Sequence, residues 1–138
     1  MQYRSDWAGY VDQGHIQVFV VSAGGGTPVQ LTEGPWNHGQ LSWARDGREI
    51  LFSSLRTPQA EYGGRESEIY AVNVATRAVR QLTTRKGPDM APVVSPDGKL
   101  VAYQGNDWTD DTYITSKLYV MGIDGSNPRR IEIGRAHV

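Results

Sequence analysis

The sequence predicts an all-β fold built from a repeated four-stranded antiparallel unit, and three observations predict it. An aromatic residue heading a short apolar run recurs at Phe19, Tyr70 and Tyr119, and each is followed twelve positions later by Leu31, Leu82 or Ile131. Residues 41–52 recur 51 positions on as residues 92–103, with Asp46-Gly47 answered by Asp97-Gly98. No segment longer than a turn carries the hydrophobic period of a helix. Short strands in groups of four, repeating every roughly 40 to 50 residues, are the signature of a β-propeller blade. The chain is therefore expected to hold a partial β-propeller of about two and a half blades.

Each element has its own justification. The first strand of a unit, about Gln40 to Ala44 and again Ala91 to Ser95, is apolar enough to be buried on both faces. The second, about Glu49 to Ser53 and Lys99 to Gln104, is β-branched and aromatic. Ser95-Pro96-Asp97-Gly98 joins them as a tight turn, in which Pro sets φ, Asp tolerates the third position and Gly supplies positive φ. Arg45 stands in place of Pro96 in the other copy, where Asp46-Gly47 suffices. The third strand, about Gln17 to Ser22, Glu68 to Val74 and Lys117 to Gly122, alternates for two faces. The fourth runs about Val29 to Thr32, Val79 to Thr83 and Arg129 to Glu132, closed onto the third by short links such as residues 23–26, 75–77 and 124–127.

On this reading residues 1–32 are the C-terminal part of one blade, 33–83 and 84–132 are complete blades, and Tyr3 occupies the place of Phe52 and Tyr103. Closing a propeller takes at least about four blades. The terminal blades should then expose apolar faces, and the isolated chain is expected to be marginally stable or to aggregate. A cooperative melt from a monodisperse monomer is the contrary outcome.

Composition narrows function by exclusion. With 138 residues, 38% hydrophobic and 21% charged, the chain reads as an ordinary globular sequence. A net charge of -1 without a basic block argues against nucleic-acid or membrane-surface partners. No apolar run reaches the roughly 18 residues of a membrane span. The absence of cysteine removes disulfides and thiolate chemistry and leaves cytoplasm and periplasm equally open. Asp107, Asp110 and Asp111 lack the glycine and distal glutamate of a calcium loop, and His15, His38 and His137 lack metal-ligand spacing. Gly24-Gly25-Gly26 has no following helix to make it a phosphate cradle. Neither cofactor nor metal is expected.

Strand alternation places the loops after second and fourth strands on one face of the ring and the tight turns on the other. The long-loop face carries Trp7, Tyr10, Trp36, Tyr62, Trp108 and Tyr113. Long loops on a rigid scaffold and exposed aromatics favour contact with substrate or partner, so that face is the candidate contact surface. The competing role for these rings is to pack the loops onto the blade edges.

Tyr3-Arg4-Ser5-Asp6, residues 25–32, residues 67–72, Arg85-Lys86-Gly87-Pro88-Asp89 and Ser95-Pro96-Asp97-Gly98-Lys99 resemble the TolB-type propeller repeats that precede the catalytic domain of prolyl oligopeptidase family serine peptidases. The acylaminoacyl-peptidase and dipeptidyl-peptidase branch is the nearer match, over roughly residues 1–132. The resemblance implies that catalysis belongs to a following α/β-hydrolase domain, and that the propeller screens peptide substrates by size and faces that domain's pocket. No Gly-x-Ser-x-Gly elbow occurs here, and Ser22, Ser42, Ser95 and Ser126 lack flanking glycines, so no catalytic residue carries over. A glutamate pair on a helical insertion captures substrate amines in some dipeptidyl peptidases; Glu66 and Glu68 lack that setting, and the role is not transferred. The alternative is a TolB-like periplasmic propeller that binds proteins and serves no enzyme. Residues 133–138 leave the repeat and match one frame of a sequencing adapter, so they are read as a library-derived tail and the chain as a fragment.

Overall fold

A computed structural model describes residues 14–56, 66–85, 87–106 and 116–131 of the chain. Ten strands follow in order: β1 (Phe19–Val20), β2 (Val29–Gln30), β3 (His38–Trp43), β4 (Glu49–Ser54), β5 (Glu68–Asn73), β6 (Val79–Gln81), β7 (Asp89–Val94), β8 (Leu100–Gly105), β9 (Lys117–Gly122) and β10 (Arg129–Ile131). Strands β3 to β6 and β7 to β10 each form an antiparallel meander of four, and β1–β2 is a hairpin. No helix occurs among the described residues. The all-β partial propeller predicted from the repeat is the fold observed.

The turns close as their residues dictate. Gly98 and Gly47 sit at φ 76° and 72°, where a side chain is strained. Asp97 Oδ1 accepts the Lys99 amide and the Ser95 hydroxyl, and Asp46 Oδ1 accepts the Arg48 amide. The hydroxyl of Ser95 holds the Asp97 carboxyl below the usual carboxylate range.

The sheets pack through two apolar layers. Ile50, Phe52, Tyr70 and Val72 face the hairpin residues Val18 and Leu31. The opposite face of the same sheet, Leu51, Ile69 and Ala71, meets Val101, Tyr103, Tyr119 and Met121 of the next sheet. A Gln-Leu-Thr latch fastens the fourth strands β2 and β6. Thr32 and Thr83 accept the amides of Val18 and Ile69 through their hydroxyls, and Gln30 and Gln81 donate to the carbonyls of those threonines. Successive units are tied by His38 N to Ile16 O at 2.9 Å and Asp89 N to Ser67 O at 2.7 Å.

The innermost strands differ from expectation in two ways. Both begin about two residues early, and both carry a bulge in which two residues oppose one: Gln40 and Leu41 against Phe52, Ala91 and Pro92 against Tyr103. Gln40 and Ala91 take φ 57° and 54°, and Gln40 Oε1 accepts the Ala91 amide at 3.0 Å, joining one bulge to the next. Burial on both faces is observed for neither first strand: Leu41 and Trp43 of β3 are 54% and 52% exposed, and Val93 of β7 is 61% exposed. The physical reason is that the hairpin β1–β2 packs on the middle strands β4 and β5 and leaves Leu41 and Trp43 uncovered. On the far flank Val93 and Ile131 are also exposed.

Phe52 and Tyr103 are repeat equivalents, and the extra hydroxyl of Tyr103 is buried without a hydrogen-bond partner, its pKa pushed up to about 12, chiefly by burial. An unpaired buried hydroxyl costs about 1 kcal/mol or more. Tyr103→Phe is therefore expected to raise stability by about 1 kcal/mol. The check is urea unfolding in trimethylamine N-oxide, which strengthens burial; a loss of stability would show that the hydroxyl is bonded.

Candidate functional site

Register brings the start of β3, the end of β4 and the start of β5 to one edge, since His38 pairs Ser54 and Ser54 pairs Glu68. Asp89, Gly105 and Lys117 align the same way in the next sheet. This is the long-loop edge, and it carries two clusters at repeat-equivalent places.

In the cluster between the two four-stranded sheets, Arg85 Nη2 donates to Asp89 Oδ1 at 2.6 Å, and the guanidinium lies 4.4 Å from the centroid of the Tyr119 ring. Asp89 is fully buried. Tyr119 stacks on Tyr103 at 5.5 Å. Glycine at 105 is required by close approach: a Cβ there would stand 2.6 Å from Asp89 Oδ1 and meet Arg85 Nη2. The Arg85–Asp89 segment noted in the sequence is thus a guanidinium-carboxylate pair built over a tyrosine stack.

In the cluster between the hairpin and the first four-stranded sheet, the Asp89 position is held by His38. Its ring is buried, with Nδ1 3.0 Å from Ile16 O and Nε2 2.8 Å from Arg56 Nη2. Arg56 can only donate, so Nε2 accepts and Nδ1–H donates to the carbonyl. Burial, and then the Arg56 charge, hold the His38 pKa below the ordinary histidine value. Arg56 lies 4.9 Å from the Tyr70 centroid, 5.2 Å from Trp36 and 5.7 Å from Phe52. Tyr70 and Tyr119 are repeat equivalents, so both clusters hold a guanidinium over the same ring. The two arginines nevertheless come from different loops.

Glu68 lies between the clusters. Its carboxylate accepts the Thr83 hydroxyl, and burial raises its pKa to about 7 despite that bond. Gln17 occupies the equivalent place in the hairpin and accepts the Thr32 hydroxyl at 2.8 Å, an amide doing neutrally what Glu68 does with a charge. The raised pKa means that the folded state holds the proton more tightly than an unfolded chain with an ordinary carboxyl. Its stabilising effect is full below about pH 4.5 and is lost as pH rises through about 7. Glu68→Gln is expected to leave stability unchanged at pH 4.5 and to raise it by about 1 kcal/mol at pH 8, after discounting for solvent screening. Equal urea midpoints for both proteins at pH 8 would count against this.

Of the residues assigned to the contact face, Trp36 is described; it is half-buried, its ring lies against Gly34 at φ 105°, and it faces Arg56. Trp7, Tyr10, Tyr62, Trp108 and Tyr113 lie outside the described residues, as do Tyr3, the aspartates at 107, 110 and 111, and the tail 133–138. His38, Arg56, Glu68 and Gly105 were not singled out as site residues by the sequence. Extending the 51-residue repeat back from Leu41 to His38 and from Pro92 to Asp89 would have flagged the first.

Among the described residues, the side chains gathered on this edge are hydrogen-bond donors and acceptors, charges and rings. Ser22, Ser42 and Ser95 accept backbone amides, and the one buried histidine among the described residues spends Nε2 on an arginine rather than a serine. No group of three or more metal-ligating side chains gathers among the described residues, and no helix there is long and apolar enough to cross a membrane.

Residues 7–110 match the family described as the dipeptidyl peptidase IV (DPP IV) N-terminal region. Tol-Pal system protein TolB of Francisella tularensis subsp. tularensis and of subsp. mediasiatica is 34% identical over 93 residues, 67% of this chain. The chain spans 19% of the length of these curated relatives. Among solved structures, a TolB-type protein of Agrobacterium tumefaciens aligns with TM-score 0.69 at 24% identity, over 83% of this chain and 40% of that one. TolB of Acinetobacter baumannii aligns with TM-score 0.63 at 20% identity, over 84% and 26%. The structural likenesses carry the fold, a TolB-type β-propeller, and the family match carries membership: the chain belongs to the family of the dipeptidyl peptidase IV N-terminal region.

Proposed function

We propose that this chain is the noncatalytic propeller segment of a serine peptidase of the prolyl oligopeptidase family, gating or positioning short peptides for an α/β-hydrolase domain encoded further along the gene. The observation that carries the reading is the family match over residues 7–110. Guanidinium, carboxylate and aromatic groups, gathered on the long-loop edge among the described residues, fit a gate for peptides. The aromatics Trp7, Tyr10, Trp36, Tyr62, Trp108 and Tyr113 are its proposed contact face, and residues 1–32, 33–83 and 84–132 its proposed blade divisions.

A second reading is favoured by the TolB relatives: a periplasmic propeller that binds protein partners and has no hydrolase domain. Reading the gene at its source locus beyond residue 138 separates the two. Further blades followed by Gly-x-Ser-x-Gly support the peptidase; further blades and then a stop support the binder. Peptide hydrolysis by this chain alone would overturn both.

A further inference from the structure

The two guanidinium clusters are alike in place and unlike in charge. In each, an arginine Nη2 donates to the residue that opens the innermost strand, at 2.6 Å to Asp89 and 2.8 Å to His38. In each, the guanidinium rests on the tyrosine that follows in β5 or β9. Arg85 has its negative charge within the fold. Arg56 has a neutral histidine instead, and no carboxylate lies within ion-pair distance of it among the described residues. Its Nε is buried without a hydrogen-bond partner, and burial lowers its pKa, an effect that Tyr70 only partly offsets. A half-buried cation costs desolvation that a carboxylate ordinarily offsets.

We propose that Arg56 is a binding site for a carboxylate of a peptide, which takes in the first cleft the part that Asp89 plays in the second. Nη1 and the remaining Nη2 hydrogen supply a paired donor edge, the geometry in which arginine holds a carboxylate in two hydrogen bonds. Trp36, packed on Gly34 beside the guanidinium, offers an apolar face to the rest of the ligand. His38 contributes by what it is not: its imidazole orients Arg56 through Nε2 and leaves the charge unspent. This site stands on geometry alone and holds for either reading of the whole protein.

The test is a titration of the full chain, uniformly labelled with 15N and followed at its arginine side chains and backbone amides, in trimethylamine N-oxide. The probes are N-acetyl-trialanine with a free C-terminus, the same peptide amidated, and an amidated peptide with an internal glutamate. The Arg56 Nε resonance is expected to shift with one or both carboxylate probes, saturating on the order of 1 to 10 mM, and not with the amidated trialanine. Which carboxylate probe acts identifies the source as a C-terminus or an acidic side chain. His38→Asp installs the acid of the neighbouring cluster: its Arg56 resonance should be displaced before any peptide is added, and the response to carboxylate should fall at least about tenfold. Arg56→Gln provides a second control, in which the carboxylate-dependent shift of the Asn37 amide should vanish. Equal responses to acid and amide, no response to either acid, an undiminished response in His38→Asp, or a persisting Asn37 shift in Arg56→Gln would each overturn the proposal.

Discussion

Phe52→Ala is expected to abolish the unfolding transition that trimethylamine N-oxide, by strengthening burial, supports in the parent chain. Phe52 is fully buried, and its ring is held on three sides: stacked on Tyr70 at 5.7 Å, edge-on to His38 at 5.1 Å, and 5.7 Å from the Arg56 guanidinium. Val18, Leu31, Ile50 and Val72 complete the layer. Truncating a ring in such a place costs about 4 kcal/mol, the lost transfer energy together with the cavity left behind. Exposed Trp43 and Leu41 on one flank, and Val93 and Ile131 on the other, mean that the chain has little stability in reserve. Phe52→Tyr, which copies the residue at 103, should retain a transition and thereby separate ring loss from general sensitivity of the position. Urea unfolding followed by near-ultraviolet circular dichroism in trimethylamine N-oxide is the measurement. A Phe52→Ala protein melting within about 1 kcal/mol of the parent would mean that the hairpin β1–β2 does not pack on this sheet as described.

The repeat made most of the fold legible because each blade solves the same problem with the same residues. Gln30-Leu31-Thr32 and Gln81-Leu82-Thr83 are visible as text, and the hydrogen bonds they make are identical 51 residues apart. Ser95-Pro96-Asp97-Gly98 announces its turn through residues whose conformational limits are local. The bulges were not legible, since Gln40 and Ala91 are neither glycine nor asparagine and nothing local marks them for positive φ. They are held by long-range bonds, Gln40 Oε1 to the Ala91 amide and the Ser53 hydroxyl to Gln40. The guanidinium clusters escape sequence comparison for another reason. Arg56 follows β4 and Arg85 precedes β7, so the repeat aligns neither with the other, and only folding brings both charges over equivalent tyrosines.

Gly105→Ala should cost about 3 kcal/mol although Gly105 has no unusual backbone angle, because the added methyl must occupy space already held by the Arg85–Asp89 pair. Its Cβ would lie 3.2 Å from Tyr119 Cε2 and 2.6 Å from Asp89 Oδ1, and it would collide with Arg85 Nη2. The guanidinium can swing away, but Asp89 cannot follow it into solvent; separating the two leaves a buried carboxylate without its cation, the costly half of a broken ion pair. The equivalent position in the preceding sheet is Ser54, whose side chain fits and donates to the Asn37 carbonyl at 2.7 Å, because there the arginine enters from another loop. Ser54→Gly should therefore cost only about 1 kcal/mol. The causal step is tested by Gly105→Ala in an Asp89→Asn background, where most of the penalty should disappear since no charge is stranded. If the alanine costs as much there as in the parent, the strain lies against Tyr119 and not in the ion pair.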